Sequence, residues 1–333
     1  MSTAPPFVSA ILLSYNCADQ ILSALQSVLD QQCEPVEIIV SDDASQDTTF
    51  AVLEREVDAY RGPHRVTLRR RETNSGSKSA HLNDVFPLTT GQVIVSFDGD
   101  DIAEPDRVRR IVEAFRADPR VSAVFSDYSF MDPEGHAGRR RGVDHPPPGA
   151  DTRHWFAKVD AYAPGATLAV RRDVVETFGP LDPSINEDVV LPFRASLVGD
   201  VRYIDEALVR VRRWEGSLTS APERLRSIEN LRSWLLRGVV QARRQMDSRL
   251  ADLGRAEELG HVQTADLDDL RATIAASMAA AEASACLASS SLPARLRCLA
   301  RLTWSSDDRR DFPQNAFLTL APSLYLKYKR SKS

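Results

Sequence analysis

The chain has 333 residues, with 42 Lys+Arg against 47 Asp+Glu for a formal net charge of −5, and is 43% hydrophobic and 27% charged. That balance fits a globular protein with a sizeable core; it excludes a disordered or fibrous chain, and a general nucleic-acid binder, which needs a basic excess. The charge is uneven, because residues 1–105 hold 16 acids and 7 bases while the remainder holds 31 acids and 35 bases.

The first residues, MSTAPPFVSA, lack a basic start and a long apolar stretch, so no signal peptide is expected there. Short apolar runs then alternate with helical spacing. Phe7–Leu13 reads as a strand, followed by Ile21, Leu22, Leu25, Val28 and Leu29 on one helical face. Val36–Val40 is a second strand with a helix from Asp47 to Ala59, Val66–Leu68 a third strand, and Val93–Phe97 a fourth. Pro105 opens a helix carrying Val108, Ile111, Val112 and Phe115, and Val121–Phe125 is a fifth strand. This alternation predicts an α/β fold, a mainly parallel sheet with helices on both faces. Residues 131–165, with three consecutive arginines and three consecutive prolines, read as a long loop. Ser220–Glu223 reads as a capping box before Leu225, Ile228, Leu231 and Leu235, and Leu267, Leu270, Ile274 and Met278 mark a further helix. No apolar run is long enough to span a bilayer, and Cys17, Cys33, Cys286 and Cys298 have no metal-site or disulfide spacing. A cytoplasmic, reducing compartment is expected.

In open α/β sheets, ligands sit beyond the carboxyl ends of the strands. Here those ends read Ser14-Tyr15-Asn16, Ser41-Asp42-Asp43 and Asp98-Gly99-Asp100-Asp101, so polar and acidic groups gather along one rim. Crowded carboxylates repel one another, and a hard divalent cation such as Mn²⁺ or Mg²⁺ removes the conflict. The alternative is an acidic, solvated turn or a helix start favoured by carboxylates.

Six segments in order resemble family 2 of the inverting glycosyltransferases, whose fold is called GT-A. They are Val8–Asn16, Val40–Thr48, Asn74–Asn83, Phe97–Asp101, Gly165–Arg171 and Asn186–Leu191. The resemblance implies a GT-A domain over residues 1–219, with a nucleotide-binding half at 1–105 and an acceptor-side half at 106–219, and a helical region over 220–333. It implies that Asp42 meets the uracil of a UDP-linked donor, with Ser14, Tyr15 and Asn16 closing over the base and Asn74 and Lys78 bordering the nucleotide. Asp98-Gly99-Asp100 matches the family's DxD motif, so Asp100 is expected to ligate the metal, and Asp98 to contact the ribose or assist the metal.

Glu187-Asp188 resembles the motif whose aspartate is the general base. Asp188 is the expected base and Glu187 the alternative, with Gly165 and Ala166 lining the sugar pocket. A competing reading has Asn186 capping a helix whose dipole the two acids complement. Where relatives carry a metal-binding histidine after the last strand, this chain has Arg212, Arg213 and Trp214. Indole cannot ligate a metal, so the arginines are candidates for the phosphate charge and Trp214 for stacking on a sugar. Arg139-Arg140-Arg141 suggests an anionic acceptor or a solvated loop. Residues 317–330 join aromatic and apolar side chains to a basic end, which suits a docked helix, a homodimer contact or a peripheral anchor at the inner face of a membrane.

The expected function is metal-dependent, inverting transfer of a sugar from a nucleotide-sugar donor to a glycan or lipid-linked hydroxyl acceptor, in surface polysaccharide biosynthesis. The alternative is a non-catalytic GT-A module that binds a nucleotide or glycan within an assembly.

Overall fold

The structure, a computed structural model, describes residues 7–132, 135, 137–212 and 228–286. It divides into two compact units: residues 7–156, 161–212 and 252–263 form the first, and 157–160, 228–251 and 264–286 the second.

The first unit is built on one sheet. Strands β1 (Val8–Ser14), β2 (Glu37–Asp42), β3 (Arg65–Arg70) and β4 (Val93–Asp98) are mutually parallel in the order β3-β2-β1-β4. β1 and β2 are buried along their whole length, because helices cover both faces, so their apolar runs are nearly continuous. Helices α1 (Ile21–Leu29), α2 (Thr49–Ala59) and α3 (Lys78–Val85) connect these strands. The sheet continues through β8 (Ala169–Arg171), β6 (Val121–Met131), β9 (Asp200–Arg212) and the two-residue β5 (Ile102–Ala103). β8 runs antiparallel to both β4 and β6, and β5 runs antiparallel to β9, so the sheet is mixed.

The expected loop over 131–165 is partly regular. Ala137–Arg141 forms β7, antiparallel to β6, and Thr152–Phe156 forms the short helix α5. Asp127 draws the strand in: buried on β6, it accepts from Arg140 Nε at 2.8 Å, Val143 N–H at 2.8 Å and the Tyr203 hydroxyl at 2.8 Å. Arg140 also pairs with Asp205, so this arginine is engaged within the protein rather than in an open loop. The fifth strand outruns its predicted end at Phe125, because β6 pairs with β9 as far as Met131.

Helices α4 (Arg107–Ala117), α6 (Arg172–Phe178) and α7 (Glu187–Val198) complete the coverage of the sheet. α7 is almost wholly buried, including Arg194. Arg194 Nε lies 3.0 Å from Asp252 Oδ2, its Nη1 donates to the Gly179 carbonyl at 2.8 Å, and its guanidinium lies over the Phe178 ring. Asp252 belongs to α8 (Ile228–Glu258), whose last residues are therefore part of the first unit.

In the second unit, Arg249 donates to the Lys158 carbonyl, and α9 (Thr264–Cys286) buries Leu267, Leu270 and Ile274. The predicted capping box at 220–223 and the 317–330 segment lie outside the described residues. Among the described residues, no helix is long and apolar enough to cross a membrane.

Candidate active site

The carboxyl ends of β1, β2 and β4 lie side by side, with Leu13 opposite Asp98 and Ser14 opposite Asp42. The loops leaving β1 and β2 are laced together. Asn16 N–H donates to Ser45 Oγ at 2.9 Å, and Asn16 Oδ1 accepts from Gln46 N–H at 2.8 Å. Asn16 and Ala44 both take positive φ, 47° and 60°, a conformation that side chains disfavour and that concentrates at functional sites.

Asp42 is fully buried. Its carboxylate accepts from Ser45 Oγ at 2.5 Å, Ser45 N–H at 3.0 Å and Ser14 Oγ at 3.3 Å, with Arg70 Nε 3.4 Å away. The residue expected to meet a uracil holds the strand-end turn with these contacts. Asp43 is equally engaged, taking Ser75 N–H and Oγ, Asn74 Nδ2 and Arg71. Asn74 therefore anchors its own loop to Asp43 and caps Gly76 N–H with its Oδ1. Tyr15 and Asn16 are the exposed members of the first segment.

At the end of β4, Gly99 N–H donates to the Leu13 carbonyl at 2.8 Å, and a Cβ at Gly99 would lie 2.9 Å from that oxygen and 3.1 Å from Cys17 Sγ. A glycine is needed because the β1 backbone presses on it. Asp101 is turned inward and accepts from Arg212 N–H at 2.9 Å, while Arg212 Nε donates to the Asp100 carbonyl at 3.1 Å. Arg212, a candidate for the phosphate charge, is buried beneath the Asp100-Asp101 turn and straps β9 to it. Arg213 and Trp214 lie outside the described residues. Behind the turn, fully buried Arg107 donates to the Ser96 carbonyl at 2.8 Å, with its guanidinium 4.3 Å from the Phe97 ring centroid.

Burial, reinforced by the charges of Asp100 and Asp98, holds the Asp101 carboxyl well above the ordinary carboxylate range. Such an excess of negative charge fits a divalent cation. Among the described residues, no three His, Cys, Asp or Glu side chains form a metal-holding group. The carboxylates of Asp98 and Asp100 could hold an ion that takes one or two carboxylates and completes its shell with phosphate oxygens and water.

Lys78 joins this rim to the Glu187-Asp188 pair. Its Nζ lies 2.6 Å from Asp98 Oδ1, 2.9 Å from Asp98 Oδ2 and 2.9 Å from Glu187 Oε1. Burial alone would lower the Lys78 ammonium, but the two carboxylates more than offset it and hold it above its ordinary value. α3 is capped by Ser77, whose hydroxyl accepts from Ala80 N–H. The same helix grips the segment before α7: Ser79 Oγ donates to the Ile185 carbonyl at 2.6 Å, and the Asn83 amide pairs with both the N–H and the carbonyl of Leu181.

Asn186 makes no side-chain cap, so the start of α7 rests on these outside contacts. Pro192 within the helix supplies no N–H to the Asp188 carbonyl one turn earlier. That carbonyl instead accepts from Ala163 N–H at 3.0 Å, which draws the Gly165–Thr167 turn to the acidic pair. A Cβ at Gly165 would collide with Glu187 Oε1 and lie 3.2 Å from Lys78 Nζ. Ala166 follows on the same turn. Asp188 Oδ1 is buried without a hydrogen-bond partner among the described residues. The Asp188 carboxyl is pushed up to about 7, first by burial and then by the Glu187 charge, with Lys78 acting in the opposite sense.

Comparison with known proteins agrees with this architecture. An uncharacterized glycosyltransferase of Nostoc sp. is 26% identical over 211 residues, 62% of this chain and 64% of its own length. The succinoglycan biosynthesis protein ExoO of Rhizobium meliloti is 37% identical over 122 residues, 37% of this chain and 33% of its own. The chain thus spans less than two thirds of the length of these relatives. Among solved structures, the mannosyltransferase PcManGT of Pyrobaculum calidifontis, in complex with GDP-Man and Mn²⁺, aligns with a TM-score of 0.53 at 21% identity, covering 98% of this chain and 87% of its own. S. aureus TarS 1–349 in complex with UDP-GlcNAc aligns at 0.51 and 16% identity, covering 93% and 86%. At these identities the likeness is one of fold, the GT-A architecture. A family model described as Glycosyl transferase family 2 matches residues 9–179, just over half of the chain, and the chain belongs to that family.

Proposed function

We propose that the protein transfers a sugar from a nucleotide-sugar donor, UDP-linked by the resemblance of its strand-end motifs, to a hydroxyl of a growing polysaccharide, with inversion at the anomeric carbon. The observation that carries the reading is Asp188, an elevated carboxyl with one buried, unpartnered oxygen, held within the reach of Lys78 from the Asp98–Asp101 turn. A base poised near neutrality is matched to taking a proton from an acceptor hydroxyl as that oxygen attacks from the face opposite the leaving diphosphate.

In this reading Glu187, paired to Lys78, shapes the base's surroundings, and Gly165 and Ala166 line the sugar pocket. Tyr15 and Asn16 border the base, and Asn74 and Asp42 hold the loops that frame it. Asp100, with Asp98, would hold Mn²⁺ or Mg²⁺, which when bound neutralises charge on the leaving diphosphate. The succinoglycan and teichuronic acid proteins among the relatives support a surface-polysaccharide acceptor. The GT-A domain is assigned to residues 1–219 together with the end of α8. Trp214, which stands where relatives carry a metal-binding histidine and so speaks for a non-catalytic scaffold, lies outside the described residues.

The test is a thermal-shift screen of nucleotide sugars with and without Mn²⁺, followed by transfer assays of Asp188→Ala. A stabilising donor, and a variant that binds it as the parent does but loses at least 10²-fold in transfer, are expected, general-base removal alone costing about 10²–10⁴. No shift with any donor, or full transfer by Asp188→Ala, would refute the proposal.

A further inference from the structure

Lys78 does more than border a nucleotide. Its ammonium contacts both oxygens of Asp98 and one of Glu187, so a single positive charge links the ends of β4 and α7. It is held there from both sides. The Ser77 cap fixes the first turn of α3, while Ser79 and Asn83 tie the helix to Ile185 and Leu181 just before Glu187. Gly165 closes over the bridge, since any side chain there would meet both Glu187 Oε1 and Lys78 Nζ.

The surrounding charge gives this bridge a consequence. Asp98 ends β4 with Asp100 and Asp101 just beyond it, and Glu187 and Asp188 open α7. Asp101 already accepts from Arg212 N–H, and both oxygens of Asp98 face Lys78. A divalent cation approaching alone would have to displace an ammonium already in contact with Asp98, and would find no third protein ligand among the described residues. A cation arriving with a diphosphate brings oxygen ligands of its own and needs one or two carboxylates from the protein.

We infer that Lys78 is the resident countercharge of the donor-free protein, a positioning residue that suppresses cation binding by itself and so makes the cation and the diphosphate bind together. The inference rests on the proposed donor and metal site, and goes beyond it by assigning the order of assembly to one side chain. Divalent cation and nucleotide should each raise the affinity for the other, the reciprocity that linkage requires.

The experiment is a Mn²⁺ titration of the full chain, following free Mn²⁺ by electron paramagnetic resonance, first with MnCl₂ alone and then with UDP present. Lys78→Met leaves Glu187 buried without its partner, so the double variant Lys78→Met/Glu187→Gln, which removes one charge of each sign, is made beside it. Glu187→Gln alone and Lys78→Arg serve as controls that keep a cation on Asp98. The expected result is that the double variant binds Mn²⁺ alone at least tenfold more tightly than the parent, while both controls stay within twofold of it. Equal affinity of parent and double variant for Mn²⁺ alone would overturn the inference, as would a tenfold gain in Glu187→Gln alone. If UDP does not bind the parent with or without Mn²⁺, the donor assignment fails, and the comparison in MnCl₂ alone still decides the role of Lys78.

Discussion

Replacing Asp188 by asparagine should make the protein more stable, by an amount that depends on pH. The carboxyl's ordinary value is 3.8 and its value in the fold is about 7. The gap is roughly three units, each worth about 1.4 kcal/mol. Between pH 4 and pH 7 the native state keeps a proton that the unfolded state has lost, so stability falls as pH rises through that window. Below pH 4 both states are protonated and the carboxyl contributes nothing; above pH 7 the whole penalty applies. Full desolvation would set that penalty near ~4 kcal/mol, and with the side chain half-buried beside Lys78 about 2–3 kcal/mol is expected. Asparagine keeps the shape and is uncharged throughout, so the variant escapes the penalty. For a unit of this size that corresponds to about 5–10 °C in thermal midpoint at pH 8, shrinking to within about 1 °C at pH 4. Scanning calorimetry of both proteins across that range measures it. A difference independent of pH, or a variant less stable than the parent at pH 8, would refute the assignment of Asp188 as a strained, charged base.

Gly165→Ala should lower transfer at least tenfold while costing about 1–3 kcal/mol, because the added methyl drives Glu187 off Lys78; kinetics and thermal midpoint of the same preparation report both. Asp252→Asn should destabilise the protein by about 3–5 kcal/mol by leaving the buried Arg194 charge unpaired, while Arg194→Met with Asp252→Leu should recover most of that loss; denaturant midpoints check the pair.

Most of the parallel half of the fold was legible because β1, β2 and β4 are short apolar runs and α1 and α2 follow the first two at regular spacing. β7 was not, since AGRRR has no apolar face and is held in the sheet by Asp127, thirteen residues from Arg140 in sequence. β8 is three residues long, too short for alternation to register. In the site, motif order put Asp98, Asp100, Glu187 and Asp188 forward as candidates, and the structure brings Asp98 and Glu187 together through Lys78. The inward turn of Asp42 was not visible, because sequence does not distinguish a carboxylate facing a ligand from one tied to Ser45 and Ser14. Asn83, Ser79 and Arg107 went unnoticed for a related reason: their roles lie in contacts with segments far along the chain. One local signal was available. Pro192 four residues after Asp188, inside an otherwise apolar helix, marks a freed carbonyl at the candidate base.

The pairing of Arg194 with Asp252 also sets a timetable for synthesis. Fifty-eight residues separate them in sequence, so α7 leaves the ribosome well before the carboxylate that neutralises its buried arginine. At ~5–20 residues per second that interval is about 3–12 s. Throughout it, the helix bearing Asp188 is present but lacks its brace, while the parallel strands that end at the acidic rim are already complete. The nascent chain can therefore assemble the part of the site that would receive a donor before it can lock the part that would act on it.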